Sequence, residues 1–254
     1  MQSLRGKVAI VSGSSSGIGA AVARELSLRG ANVVVNYPFV KDKEQADRVL
    51  ATLQPDIESI CVEADLSTLT GPATLAEAAV AKFGKIDILV NNAGRAMNLP
   101  MEEQGPEIWE QLVNLNGRGT LLLTQAVLKH LTHGSSRIVN VTSSNARDPH
   151  PGLTIYAGTK GMVDSFTRCW ARELPPKYGC TVNSVAPGPV NTEAMANAEP
   201  EFKQFVQSLV KTTPVAPRLG EPSEIAWLIA TLCEEKANWA NGVSLVAGGG
   251  LYLG

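Results

Sequence analysis

The sequence predicts an α/β fold: a doubly wound parallel sheet of about seven strands flanked by helices, in a single domain over residues 1–254. Three observations predict it. Short β-branched runs alternate with longer amphipathic stretches, the rhythm of repeated βα units. The first, second, fourth and fifth of these runs are mostly apolar rather than alternating, as strands buried on both faces are. The glycines Gly13, Gly17 and Gly19 join the first run to the first amphipathic stretch.

In chain order the strand-like runs are KVAIVS, NVVVNY, IESICVEA, IDILVNN, RIVNVTS, CTVNSVAP and VSLVA. Helical patterns lie between them, including GIGAAVARELSLRG, GPATLAEAAVAKFG and RGTLLLTQAVLKHL. Gly30 and Gly84 are placed to end two of these helices. A long segment after the sixth run breaks the rhythm. It holds five prolines and a helical pattern over about residues 197–211. Such a length exceeds an ordinary βα loop, and its place after a strand end predicts a lid over a site at about residues 190–213.

Composition narrows the function classes. Apolar residues make up 44% and charged residues 18%, which argues against disorder. A net charge of −2 gives no reason to expect nucleic acid or an anionic membrane as partner. No segment approaches 18 consecutive apolar residues, and the apolar run near the start is too short for a signal peptide. The four cysteines, Cys61, Cys169, Cys180 and Cys233, show no CxxC pairing. They read as buried thiols in a reducing, cytoplasmic setting. His130 and His133 lack acidic or cysteine companions and suit a helix C-terminus better than a metal site, so no metal is expected.

Three constellations carry chemistry. In SGSSSGIG the glycines permit a tight turn and close backbone approach, and the following helix start offers free N–H groups to a pyrophosphate. Ser14, Ser15 and Ser16 add hydroxyls. In IDILVNNAG, Asn91 and Asn92 either bridge neighbouring strands or touch a cofactor. Ser143 ends the fifth strand, Tyr156 lies thirteen residues later, and Lys160 stands one helical turn beyond on the same face. A hydroxyl, a phenol and an ammonium converging at this edge of the sheet make an acid–base set.

With these motifs in this order, the sequence resembles the short-chain dehydrogenase/reductase family from Lys7 to about Gly250. SGSSSGIG matches the family's TGxxxGxG with Ser12 for Thr, and NNAG is intact at Asn91 to Gly94. VNLNG places the family's catalytic Asn at Asn114, and Ser143, Tyr156 and Lys160 complete a tetrad. APGPVNT carries Pro187, Gly188 and Thr192 of the PG motif. One departure is Ala247, where many members have Asp before the last glycines.

The resemblance implies a Rossmann-type fold and an NADP(H)-dependent ketoreductase. Tyr156 is then the general acid/base, Ser143 holds the carbonyl oxygen, Lys160 binds the nicotinamide ribose and, together with the positive nicotinamide of the oxidised cofactor, lowers the phenol pKa, and Asn114 holds a relay water. Cofactor contacts are expected at Gly13, Ser15, Ser16, Gly17, Ile18, Gly19, Asp65, Leu66, Asn92, Ala93, Gly94, Pro187, Gly188, Val190 and Thr192. Asn36 takes the position where a carboxylate would repel a 2′-phosphate, so it is expected to donate to that phosphate, with Tyr37 at the adenosine edge and Lys41 and Lys43 nearby. Asn36→Asp is then expected to reverse or abolish the preference for NADPH. No base stands at Ser16, which argues the other way. The loops expected at the substrate contribute Met97, Leu99, Met101, Pro149, Pro151, Leu153 and Met195, a lining suited to a bulky apolar ketone, with Arg95, Arg147 and His150 placed to meet an anionic substrate. A 3-oxoacyl thioester reductase, a dehydratase or epimerase, and a non-catalytic cofactor-binding regulator are the alternatives. A homotetramer or homodimer is the assembly the resemblance implies.

Overall fold

A computed structural model describes residues 2–253. All seven strand-like runs form strands. They are β1 (Val8–Val11), β2 (Asn32–Tyr37), β3 (Ile60–Glu63), β4 (Ile88–Asn91), β5 (Ser136–Val141), β6 (Cys180–Pro187) and β7 (Ser244–Ala247). Every pairing is parallel, in the order β3-β2-β1-β4-β5-β6-β7. The order reverses between β1 and β4, so their C-terminal ends frame the crevice where such sheets bind ligands.

The helices are α1 (Gly17–Leu28), α2 (Lys43–Leu50), α3 (Gly71–Phe83), α4 (Pro106–Leu112), α5 (Thr120–Leu128), α6 (Thr154–Glu173), α7 (Pro175–Tyr178), α8 (Glu193–Ala196), α9 (Pro200–Val210) and α10 (Pro222–Cys233). Strands alternate their side chains between two faces, and each face has its own core. Val11, Val33, Val35 and Val185 pack with Leu26 of α1 and Ile229 of α10. On the other face Ile10, Val34, Leu89 and Val182 pack with Leu75, Leu123 and Trp170. Both faces of β1, β4, β5 and β6 are covered, which is why these strands are buried throughout. Gly30 and Gly84 follow α1 and α3 with φ of +97° and +74°, the left-handed turn expected of helix-ending glycines.

Three features depart from the expected pattern. The stretch RGTLLLTQAVLKHL does not begin as an ordinary helix, because a π-helical segment, Val113–Gly119, runs into α5. Such wide turns are rare and shift the register of the side chains that follow. The cysteines are all free, but Cys169 is exposed and Cys61 half-buried, so only Cys180 and Cys233 fit the expected burial. Residues 190–213 hold α8 and α9 in place of one helix. No helix among the described residues is long and apolar enough to cross a membrane.

Candidate active site

The loop between β1 and α1 is held from three sides. Gly13 adopts φ +59°, and a Cβ there would lie 2.9 Å from the Ala93 Cα, so backbone and backbone meet where only glycine fits. Asn92 Nδ2 donates to the carbonyls of Ser12 and Gly13 at 2.9 and 3.0 Å, and Ser12 Oγ accepts from the N–H groups of Asn92 and Ala93. Ser14 Oγ donates to the Val11 carbonyl and accepts from the Asn36 N–H, so its hydroxyl is not free for a ligand. Ser15 is nearly buried and Ser16 half-exposed. No side chain caps α1 and its first turn carries no acid, so its leading N–H groups remain free donors with the positive end of the helix dipole behind them.

Asn36 does not have the role expected from the sequence. It is 2% exposed. Its Oδ1 accepts from the Gly13 N–H at 2.9 Å, and its Nδ2 donates to the Ala64 carbonyl at 3.0 Å with the Tyr37 and Val62 carbonyls at 3.3 and 3.4 Å. Both ends of the amide are spent on main chain, and none is left for a phosphate. The residue at the very end of β2 is Tyr37, itself mostly buried. Lys43 is paired with Asp47 at 2.6 Å, and Lys41 lies over the Phe39 ring at 5.4 Å. Asp65 Oδ1 accepts from the Ser67 N–H and hydroxyl, and Leu66 is buried. Asn91 takes the bridging option: its Nδ2 donates to Asn140 Oδ1 at 2.9 Å across β4 and β5.

Ser143, Tyr156 and Lys160 converge at the end of β5. Lys160 lies on the inward face of α6, where its ammonium donates to the Val141 carbonyl at 2.8 Å. It sits 6.0 Å from the centre of the Tyr156 ring. Burial pulls the Lys160 pKa down to about 8. The Tyr156 phenol is the second titratable group of the cluster. Burial raises its pKa, and the neighbouring Ser143 hydroxyl offsets part of the rise.

The asparagine in this cluster is Asn116, not Asn114. Asn116 is 1% exposed. Its Oδ1 accepts from the Arg95 N–H, and its Nδ2 donates to the Arg95 carbonyl and to Thr159 Oγ1 of α6. A Cβ placed on Gly94 would lie 3.2 Å from Lys160 Nζ and 3.3 Å from Asn116 Oδ1, so both groups reach one point. Asn114 is two residues earlier in the π-helical segment and is half-exposed. Positions two apart on a helix face different ways, so only one of the pair in VNLNG can turn inward.

The profile of a family described as enoyl-(acyl carrier protein) reductase matches residues 13–252. The short-chain dehydrogenase/reductase FrzI of Cladobotryum sp is 41% identical over 98% of this chain and 97% of its own length. The chain is a short-chain dehydrogenase/reductase. A hydroxynaphthalene reductase of Aspergillus fumigatus is 32% identical over 94% of this chain and 90% of that protein. A short-chain dehydrogenase of Burkholderia cenocepacia, solved in complex with NADP, superposes with a TM-score of 0.89 at 31% identity, covering 98% of both chains. This short-chain dehydrogenase/reductase is accordingly an oxidoreductase, and its family uses nicotinamide cofactors.

The residues present fit such a cofactor. The uncapped start of α1 offers N–H donors to a pyrophosphate, and exposed Gly94 carries no side chain where a Cβ would crowd Lys160 and Asn116. Gly188 packs against Gly248 and its N–H donates to Ala247, so the PG turn is tied to the end of β7 despite the missing Asp. Val190 is buried. Thr192 caps α8, accepting from the Met195 N–H, and its methyl would lie 3.5 Å from a Cβ on Gly17.

The expected substrate residues of this short-chain dehydrogenase/reductase divide. Met97 and Met195 are half-buried. Leu153 is 3% exposed and packs into the start of α6, offering no open face. Arg95 is exposed and reaches Gln111, whereas Arg147 is engaged by the buried carboxylate of Asp164. His150 is hydrogen-bonded to Tyr252 and meets the Phe205 ring of α9 edge-on at 5.2 Å. Tyr252 at this wall has no motif to announce it.

Proposed function

We propose that this chain is an NADP(H)-dependent reductase of a bulky, mostly apolar ketone, with Tyr156 as general acid and base. The observation that carries the reading is the convergence of Ser143, Tyr156 and Lys160 at the end of β5, where the Tyr156 phenol, its pKa raised by burial, has the Lys160 ammonium 6.0 Å from its ring centre. A protonated acid of this kind is ready for reduction. Bound NADPH supplies the hydride that reduces the carbonyl carbon. Ser143 donates to the carbonyl oxygen and orients it. Tyr156 donates its proton to that oxygen as negative charge develops there, giving the alcohol. Lys160 stabilises the resulting phenolate, and solvent restores the proton by way of Lys160 and a water held beside Asn116. The free N–H groups at the start of α1 and the loop tied by Asn92 hold the cofactor's phosphates.

Preference for NADPH is supported by the absence of a carboxylate at the end of β2 and by Lys41 and Lys43 just beyond it. The NADP complex of the Burkholderia relative supports the same choice. A fused-ring ketone is the favoured substrate class, in keeping with the half-buried Met97 and Met195 and the hydroxynaphthalene reductase among the relatives. Residues 190–213 are read as a lid, and the protein as a cytoplasmic homotetramer or homodimer whose four thiols are free. The test is loss of absorbance at 340 nm when NADPH is mixed with decalones, naphthol tautomers and 3-oxoacyl thioesters. Turnover of a fused-ring ketone is expected. Binding of NADPH with no turnover across the panel would contradict the reading.

A further inference from the structure

The hydroxyl of Ser143 is 7% exposed with its residue and receives two donors from the same neighbour. The Asn145 N–H donates to Ser143 Oγ at 3.1 Å, and Asn145 Nδ2 donates to it at 3.4 Å. A serine hydroxyl has two acceptor sites and one proton. With both acceptor sites filled, its remaining capacity is to donate. The orientation of the Asn145 amide is fixed by the network rather than free to flip. Its Oδ1 accepts from the His150 N–H at 3.1 Å, which turns Nδ2 toward Ser143. His150 is in turn held by Tyr252 through its ring nitrogen and by Phe205 against its ring.

We propose that Asn145 is a positioning residue that fixes the direction of the Ser143 proton, aiming it at the carbonyl oxygen of the substrate. The inference rests on the reading of Ser143 as the group that holds that oxygen. With the lone pairs of Ser143 occupied, it cannot accept the Tyr156 proton. Both hydroxyls therefore donate toward one substrate oxygen, and the Tyr156 proton has a single destination.

A purely structural role would be to staple the loop through His150, and two substitutions separate the two roles. Asn145→Asp keeps the acceptor for the His150 N–H but replaces the donor at Ser143 with an acceptor that captures the serine proton. Asn145→Ala removes both side-chain bonds and leaves the backbone donor. Steady-state reduction of a decalone with NADPH is expected to show kcat lowered about 100-fold for Asn145→Asp, the low end for a lost oxyanion donor, and about tenfold for Asn145→Ala, the worth of one ordinary hydrogen bond. NADPH binding, read by fluorescence, is expected to stay within about twofold, because the change leaves the phosphate-binding loop untouched. As pH is lowered toward 5, protonation should return a donor to Asn145→Asp and raise its kcat relative to Asn145→Ala. An Asp variant as active as the Ala variant or more so at pH 7.5 overturns the proposal. Ser143→Ala is the companion measurement. If it keeps wild-type turnover, the proposed role of Ser143 falls and the inference with it; if it is inactive while Asn145→Asp is mild, the inference alone falls.

Discussion

Asn36→Asp separates the structural account of the cofactor loop from the one suggested by the sequence. The substitution replaces Nδ2, which faces the Ala64, Tyr37 and Val62 carbonyls at 3.0, 3.3 and 3.4 Å, with a second oxygen. An ionised carboxylate there is a buried charge set against three acceptors, which costs several kcal/mol. The alternative is protonation, which restores a donor toward Ala64. Holding an Asp of ordinary pKa about 3.9 neutral at pH 7.5 costs about 5 kcal/mol, and at pH 5 about 1.5 kcal/mol. Because the folded-state pKa is raised, the folded state binds the extra proton, and the variant loses stability as pH rises above the unfolded pKa. The loss at pH 7.5 is a large fraction of the total stability of an ordinary domain. Urea unfolding of parent and variant at pH 5 and 7.5, with NADPH and NADH titrations followed by tryptophan fluorescence, is the assay. The deficit should be about 3 kcal/mol wider at pH 7.5, and neither cofactor should gain affinity. A variant as stable as the parent at pH 7.5 that now prefers NADH would refute the reasoning.

The remaining predictions concern the cluster and its cover. Asn116→Ala should lower kcat at least tenfold while Asn114→Ala stays within about twofold; the reverse ranking in steady-state kinetics would restore Asn114. Lys160→Met removes a buried ammonium whose pKa is pulled down to about 8. Between pH 8 and the unfolded value near 10.4 the unfolded state binds more protons, so the parent should gain stability relative to Lys160→Met as pH rises through that window, and a constant difference in urea unfolding would count against the assignment. Amide exchange over residues 190–213 should slow on addition of NADPH and a ketone; equal protection with and without them would remove the lid.

The sheet was legible because its strands are apolar on both faces. The seven runs announce themselves whatever surrounds them, and the glycines after α1 and α3 mark helix ends that backbone sterics require. The tetrad was legible in part. Ser143, Tyr156 and Lys160 follow from a strand end and a helical turn, but the choice between Asn114 and Asn116 depends on a π-helical register that periodicity at 3.6 residues does not show. Asn36 was misread because a strand-end polar residue looks available in one dimension. Its burial comes from the carbonyls of β3 and the turn at Gly13, which only the assembled sheet brings to it. The rise in the Tyr156 pKa has the same origin, since desolvation depends on neighbours distant in sequence. Asn145 and Tyr252 carried no signal at all: their partners are a loop amide and a histidine more than a hundred residues from the C-terminal tyrosine.

The most direct test of the central claim is the turnover of Tyr156→Phe in NADPH-dependent ketone reduction, measured beside its affinity for NADPH. The substitution removes one hydroxyl and almost no volume. The account predicts kcat lowered by at least about 100-fold with cofactor affinity largely kept. Turnover within about tenfold of the parent would show that the proton reaches the carbonyl oxygen from another group and would contradict the assignment.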